Sequence, residues 1–229
     1  MSVTISKTNF QFLRDLSENN HRDWFNEHKD QYVKYHEEAI AVADELLNGL
    51  AAQDQIATAS GKKSLMRIYR DVRFSKDKSP YNPRWAGGFG RVKPQLRGGY
   101  FFRLMPGQTL VGGGFYGPNK DDLKLLRDQI AQDDEPLRAV LQDPAFKKVF
   151  GELQGEQLKT APKGYDKEHP SIDLLRFKSM YVFREFTDEE ATSEDFVAEA
   201  LKTWTAIRPF FDVMTEMLTT DLNGLSLIE

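Results

Sequence analysis

The sequence predicts an α+β fold, with a central, mainly antiparallel sheet and helices from both termini packed around it. Three observations lead there. Apolar residues recur at three- and four-residue steps toward both ends of the chain; period-two alternation fills the middle, from about Met66 to Tyr116; and the turns joining the middle segments are too short for anything but antiparallel pairing. A chain of 229 residues suits one domain, expected to span residues 1–229.

Phe10, Phe12, Leu13 and Leu16 mark a first helix, expected to be capped near Thr8 or Asn9 and to turn at Asn19-Asn20. A longer helix is expected to follow, with Trp24 and Phe25 near its start and Tyr32, Tyr35, Ala39, Ala43, Leu46, Leu47 and Leu50 forming its core stripe. His28 and His36 share that helix eight residues apart. That separation is about 12 Å along the axis, too far to ligate one metal together. Ser60-Gly61-Lys62-Lys63-Ser64 resembles a phosphate loop only superficially, since Ile56 stands where its first glycine belongs and Lys63 where Ser or Thr belongs. Gly87-Gly88-Phe89-Gly90 runs into Arg91-Val92-Lys93-Pro94, which cannot open the helix of a dinucleotide fingerprint.

The alternation of Met66, Ile68, Val72 and Phe74 with Arg67, Tyr69, Asp71 and Arg73 predicts a strand over 66–74, one face apolar and the other charged. Arg70 falls on the apolar face and must find an internal partner or reach a rim. After a loop over 75–83, strands are expected at 84–91, 99–105 and 108–116, the last two joined by Met105-Pro106-Gly107-Gln108 as a type II turn. Gly112-Gly113-Gly114 in the returning strand implies that something approaches its backbone closely, either packing or a ligand. Helices follow. Asn119 is expected to cap one that carries Leu123, Leu126 and Ile130, and Asp134-Glu135-Pro136 and Asp143-Pro144 should open two shorter ones. Lys159 to Pro170 reads as a loop, Met180 to Phe186 as a strand, and Thr187 with Glu190 as a capping box. A final long helix, from Phe196 through Trp204 to Met217, should kink or restart at Pro209.

Composition excludes several functions. There is no cysteine, so disulfides, thiolate catalysis and cysteine-held metals are ruled out. No apolar run approaches the ~20 residues of a membrane span. The N-terminal residues do not read as a secretory signal, and a cytoplasmic protein with no membrane association is expected. The net charge of −4 conceals a division: from Lys62 to Arg103 stand twelve basic and two acidic residues, so the remaining chain holds 19 basic and 33 acidic ones. A basic segment clamped by acidic helices through internal ion pairs would account for this with no ligand, yet no acid occurs between Lys78 and Lys120 to supply the pairing locally.

That charge is densest in Arg67-Ile68-Tyr69-Arg70-Asp71-Val72-Arg73-Phe74-Ser75-Lys76-Asp77-Lys78-Ser79-Pro80-Tyr81. Arg67, Tyr69, Arg73, Lys76 and Lys78 are the candidate ligand-binding residues, for a phosphate or carboxylate. Charge-assisted bonds to such a ligand contribute roughly 1.5–3 kcal/mol each, against roughly 0–1 for an exposed salt bridge. For catalysis the candidates are Asp71 or Asp77 as general base, Lys78 or Arg73 as stabiliser of developing charge, and Tyr69 or Tyr81 as proton donor. Neither a Ser-His nor a Cys-His pairing is present, and the basic region lacks carboxylates at metal spacing, so no metal is assigned. The residues name no reaction, cofactor or oligomeric state. Phe74, Tyr81, Trp85, Phe89 and Phe101, interleaved with Arg84, Arg91, Lys93, Arg97 and Arg103, offer single-stranded nucleic-acid binding as an alternative; the sequence pI of about 5.7 argues against it. A scaffold whose basic face docks an acidic protein is a third. His169 could complete a site if its loop folds over the 67–81 segment.

The 67–81 run, together with Asn19-Asn20 before Trp24-Phe25, Gly112-Gly113-Gly114 with Tyr116, and His169-Pro170 before Leu174-Leu175-Arg176, resembles family 2461 of the domains of unknown function, over about Phe10 to Leu218. The resemblance implies a single cytosolic domain of bacterial or fungal type and implies no chemistry.

Overall fold

The structure, a computed structural model, describes residues 3–228. In chain order its elements are α1 (Lys7–Glu18), α2 (Arg22–Glu27), α3 (Lys29–Ala51), α4 (Gly61–Ser64), β1 (Trp85–Gly90), β2 (Gly99–Leu104), β3 (Thr109–Phe115), α5 (Lys120–Gln132), α6 (Glu135–Gln142), α7 (Pro144–Phe150), α8 (Ile172–Leu175), β4 (Met180–Phe186), α9 (Asp188–Ala191), α10 (Phe196–Ala206) and α11 (Arg208–Thr219). The strands form one antiparallel sheet in the order β1-β2-β3-β4, so the fold is α+β as the patterning indicates. None of the described helices is long and apolar enough to cross a membrane.

The described residues group into two compact units. The first comprises the chain up to Phe89, with Phe101–Val111 and Glu185–Lys202; the second comprises Gly90–Tyr100, Gly112–Arg184 and the chain from Thr203. In the first unit α1 lies on α3, with the Phe12 and Tyr35 rings 5.4 Å apart and Phe10, Leu13 and Leu16 of α1 and Ala39, Val42 and Leu46 of α3 all buried. Ser6, not Thr8 or Asn9, caps α1 by accepting from the Asn9 amide. Asn9 is instead fully buried and saturated: its amide donates to the Tyr35 carbonyl and Glu38, and its Oδ1 accepts from Trp85 Nε1 at 2.8 Å. The helix expected from Trp24 onward breaks at His28, whose φ of −106° and ψ of 18° leave the helical region. The imidazole stacks on Trp24 at 4.0 Å and its Nδ1 lies 2.8 Å from the Trp24 carbonyl.

In the second unit α11 packs on α5 and α6, with Phe210, Phe211 and Met214 fully buried. Arg208 and Pro209 open α11 after α10 ends at Ala206, the restart expected of the proline. Asn119 caps α5 by accepting from the Asp122 amide, and Asp143 caps α7 through the Phe146 amide. The glycine run in β3 answers to packing. A Cβ on Gly113 would sit 2.7 Å from the Phe211 ring, and one on Gly114 only 2.3 Å from the Met180 carbonyl oxygen. In the first unit the β2–β3 turn is of type II, closed by the Gln108 amide on the Met105 carbonyl with Gly107 at φ +72°.

Candidate functional site

The segment 67–81 does not form the strand its alternation predicts. Only Leu65 pairs with Gly87 and Tyr69 with Tyr81. Leu65 and Tyr69 are four positions apart but Tyr81 and Gly87 are six, so the chain bulges on the 81–87 side and the regular ladder is interrupted. Of the four residues assigned to the apolar face only Ile68 is buried; Met66 is 65% exposed and Phe74, at the hairpin tip, 97% exposed. The base of the hairpin is firm: the Arg70 amide donates to the Pro80 carbonyl and the Asn82 amide to Ile68. Asn20, whose place in the sequence suggested only a turn, clasps Tyr81 from both sides, accepting from its amide and donating to its carbonyl at 3.0 Å each.

Both acids of this hairpin, and two of its five cations, are paired within it. Arg70 finds its partner in Asp77 at 2.5 Å, and Asp77 also accepts from the Ser79 amide and hydroxyl. The Ser79 bonds, with Arg70 adding to them, hold the Asp77 carboxyl far below the usual carboxylate range. Arg73 grips Asp71 with Nε and Nη2, at 3.0 and 2.7 Å, which lowers Asp71 and raises Arg73. Two carboxylates so held are ionised and weakly basic, a poor endowment for a general base. Lys78 Nζ donates to the Val72 carbonyl at 2.9 Å. Tyr81 is buried, stacked on Phe25 at 4.0 Å, and burial raises its phenol. Arg67 and Lys76 form no hydrogen bond or ion pair among the described residues.

Arg67 shares the outward side of the hairpin with Tyr69, which is 52% exposed, while Ile68 between them points into the core. Next to Tyr69 is an aromatic wall that sequence reasoning missed. Tyr69 and Tyr81 lie 5.4 Å apart, and Phe25 contacts both rings. Phe25 also packs on Tyr32 of α3 at 5.0 Å; Tyr32 stacks with His36 one turn on, and His36 meets Trp85. Burial, with the Tyr69 phenol adding to it, raises the Tyr32 hydroxyl and keeps it a proton donor. Burial lowers His36, and Lys62 lowers it further against the pull of Glu37, so the imidazole is neutral near pH 7. The i, i+4 spacing of Tyr32 and His36 was visible, but nothing in it distinguished this pair from the core stripe. The arrangement offers phenol donors, a neutral imidazole and an unpaired guanidinium, a set that can bind an oxyanion and exchange a proton with it.

His169 lies in the second unit, where its Nδ1 accepts from the Ser171 amide at 3.1 Å and its carbonyl from Ile172, shaping the entry to α8. The phosphate-loop look-alike forms the helical turn α4. Asp44 already accepts from the Gly61 amide at 2.6 Å there, filling with a carboxylate the position an anion would take.

The neutral His36 sets a pH dependence. Below about pH 6.5 the unfolded chain takes up a proton that the folded state resists, so stability falls with pH until the folded value is passed. Wild-type melting temperature should therefore drop more steeply from pH 7.5 to 5.5 than that of His36→Phe. Parallel slopes would show that His36 contributes nothing. Asp71 and Asp77, lowered rather than raised, contribute stability lost only below about pH 4, outside that window.

The family model described as "Conserved hypothetical protein (DUF2461)" matches residues 8–212, and the chain belongs to that family. Neither a curated protein nor a solved structure matches it.

Proposed function

We propose that this DUF2461 member binds a small anionic ligand, phosphate or carboxylate, on the outward side of the 67–81 hairpin. Arg67 and Tyr69 make the principal contacts, Lys76 and Lys78 supply further charge, and Tyr32 and His36 border the ligand. One observation carries the reading: of the three arginines in the hairpin, Arg70 and Arg73 are neutralised by Asp77 and Asp71, whereas Arg67 has no carboxylate bonded to it and stands two residues from the exposed Tyr69. An internal ion-pair network accounts for the first two, whereas Arg67 acts on Asp71 only through space and keeps its donors free for a ligand. In this reading Asp71, Asp77 and Arg73 shape the tip, and any proton transfer falls to Tyr69, Tyr32 and His36.

Thermal unfolding against phosphorylated metabolites, nucleotides and dicarboxylates tests it. A ligand at 100 times its Kd stabilises by about 2.7 kcal/mol, which is several degrees for a chain of this length. Arg67→Ala should abolish that shift and Tyr69→Phe should reduce it, both melting within about a degree of wild type without ligand. Absence of any shift with every compound, or an undiminished shift in Arg67→Ala, would sink the proposal.

Single-stranded nucleic acid is a second reading, favoured by the nearly complete exposure of Phe74 with the Arg73 guanidinium 5.9 Å from its ring. It requires oligonucleotide affinity that falls steeply with salt and is lost in Phe74→Ala, neither of which a small-anion site would show.

A further inference from the structure

We infer that the second unit carries a separate oxyanion-binding cleft, anchored by Arg176 and suited to a small carboxylate- or phosphate-bearing molecule. The cleft has a volume of about 370 Å³, toward the lower end of small-ligand sites, and is bordered by α6, α7 and the segments on either side of α8.

Its cations are in different states. Arg138 is fully committed, with Nε on Asp134 at 2.6 Å and its two terminal nitrogens on the Asp173 carboxylate at 3.0 and 2.7 Å. Lys147 reaches Glu152 at 3.8 Å, both side chains well exposed, an arrangement weak enough to exchange for a ligand. Arg176 is half-buried and donates from Nε to the Leu158 carbonyl at 2.7 Å. Among the described residues it has no carboxylate partner, and its terminal nitrogens make no hydrogen bond. The side-chain amides of Gln142 and Gln157 are likewise unbonded among the described residues, and both line the cleft.

Arg176 is also held in place. The Leu158 amide donates to the Arg176 carbonyl at 2.8 Å, Gln157 pairs antiparallel with Phe177, and the Lys178 amide donates to the Glu156 carbonyl at 2.7 Å. Arg176 and Gln157 thus stand on a paired backbone, and the Nε bond to Leu158 anchors the guanidinium, the preorganisation that planar, two-point oxyanion recognition needs, while the exposed Gln157 amide is left to adapt to the ligand. With Arg138 cancelled by its acids, an incoming anion meets Arg176 as the fixed charge, Lys147 as the adjustable one and two amides as neutral donors. The apolar Leu174 and Phe177 beneath them favour a ligand with a partly hydrocarbon body.

The test is a titration of the isotope-labelled chain with inorganic phosphate, succinate and benzoate at constant ionic strength, followed by the arginine Nε–H and glutamine side-chain signals. Saturable shifts at Arg176, Gln142 and Gln157 are expected, with benzoate or succinate tighter than phosphate if the ligand is a carboxylate and the reverse if it is a phosphate. Arg176→Gln should weaken binding at least tenfold, Lys147→Gln less, and Arg67→Ala not at all. If Arg176→Gln does not fold, Lys147→Gln and Gln157→Leu carry the test, and binding unchanged in both overturns the inference. So do the absence of saturable shifts with all three probes and equal affinity in a folded Arg176→Gln. Loss of binding in Arg67→Ala alone would assign the ligand to the hairpin of the first unit and overturn the second cleft.

Discussion

Gly114→Ala is expected to destabilise the protein by about 3 kcal/mol or more, combining a backbone conformation that costs an L-residue about 1–3 kcal/mol with an overpacking term of similar size. Gly114 has φ +151°, and an added Cβ would lie 2.3 Å from the Met180 carbonyl oxygen and 2.4 Å from Tyr181 Cα. Those are backbone atoms of β4, so no side chain can rotate away; the β3–β4 pairing itself must open. Two comparisons isolate this cause. Gly113→Ala meets mainly the Phe211 and Ile207 side chains and should cost less, and Gly90→Ala, with nothing within 4 Å of its Cβ, should be close to neutral. Chemical denaturation of the three variants checks the ranking. A Gly114→Ala protein as stable as Gly90→Ala would mean that the approach of β4 is not what demands the glycine.

Trp204→Ala should cost about 3–5 kcal/mol, the range for deleting a large aromatic from a core. Trp204 is wholly buried in the second unit, edge-on to Tyr100 at 5.7 Å, and its indole nitrogen donates to the Gly112 carbonyl at 2.9 Å. Truncation leaves a large cavity and removes the donor from a buried carbonyl. Trp204→Phe retains most of the volume and loses the donor, and should recover roughly half the deficit, the remainder being the roughly 1–3 kcal/mol of an unsatisfied buried group plus the lost ring. The expected order of denaturation midpoints is wild type, Trp204→Phe, Trp204→Ala. Equal midpoints for the two variants would assign the loss to the hydrogen bond rather than to packing.

The glycine run and the tryptophan illustrate how far residue patterns reach. Three adjacent glycines in a strand signalled close approach, but both packing and a ligand satisfied that signal. The identity of the neighbour, Phe211 for Gly113 and β4 for Gly114, depends on residues far along the chain. Trp204 was legible as core from helical spacing, whereas its bond to Gly112 was not, because no local pattern encodes a partner 92 residues away. The same division runs through the candidate site. For Arg70 the apolar register required an internal partner or a rim, and the structure gives it Asp77. The rest of that expected strand failed because alternation reports what a segment could bury, and the bulge opposite it removes the ladder that would have done the burying.

Sequence by itself determined the elements whose causes are local. The caps at Asn119 and Asp143, the capping box at Thr187, the proline restart before α11 and the type II turn at Gly107 all follow from hydrogen bonds or dihedral limits within a few residues. Tertiary structure decided which charges are spent and which remain. Asp77 is consumed by Arg70 and Ser79, Arg138 by Asp134 and Asp173, and Arg67 and Arg176 are left without a bonded carboxylate among the described residues, although Arg67, Arg138 and Arg176 carry the same charge in the sequence. The physical reason is range: an ion pair forms only when two groups come within about 4 Å, and although Asp134 stands one helical turn from Arg138, the approach of Asp173, 35 residues on, is set by how the elements pack.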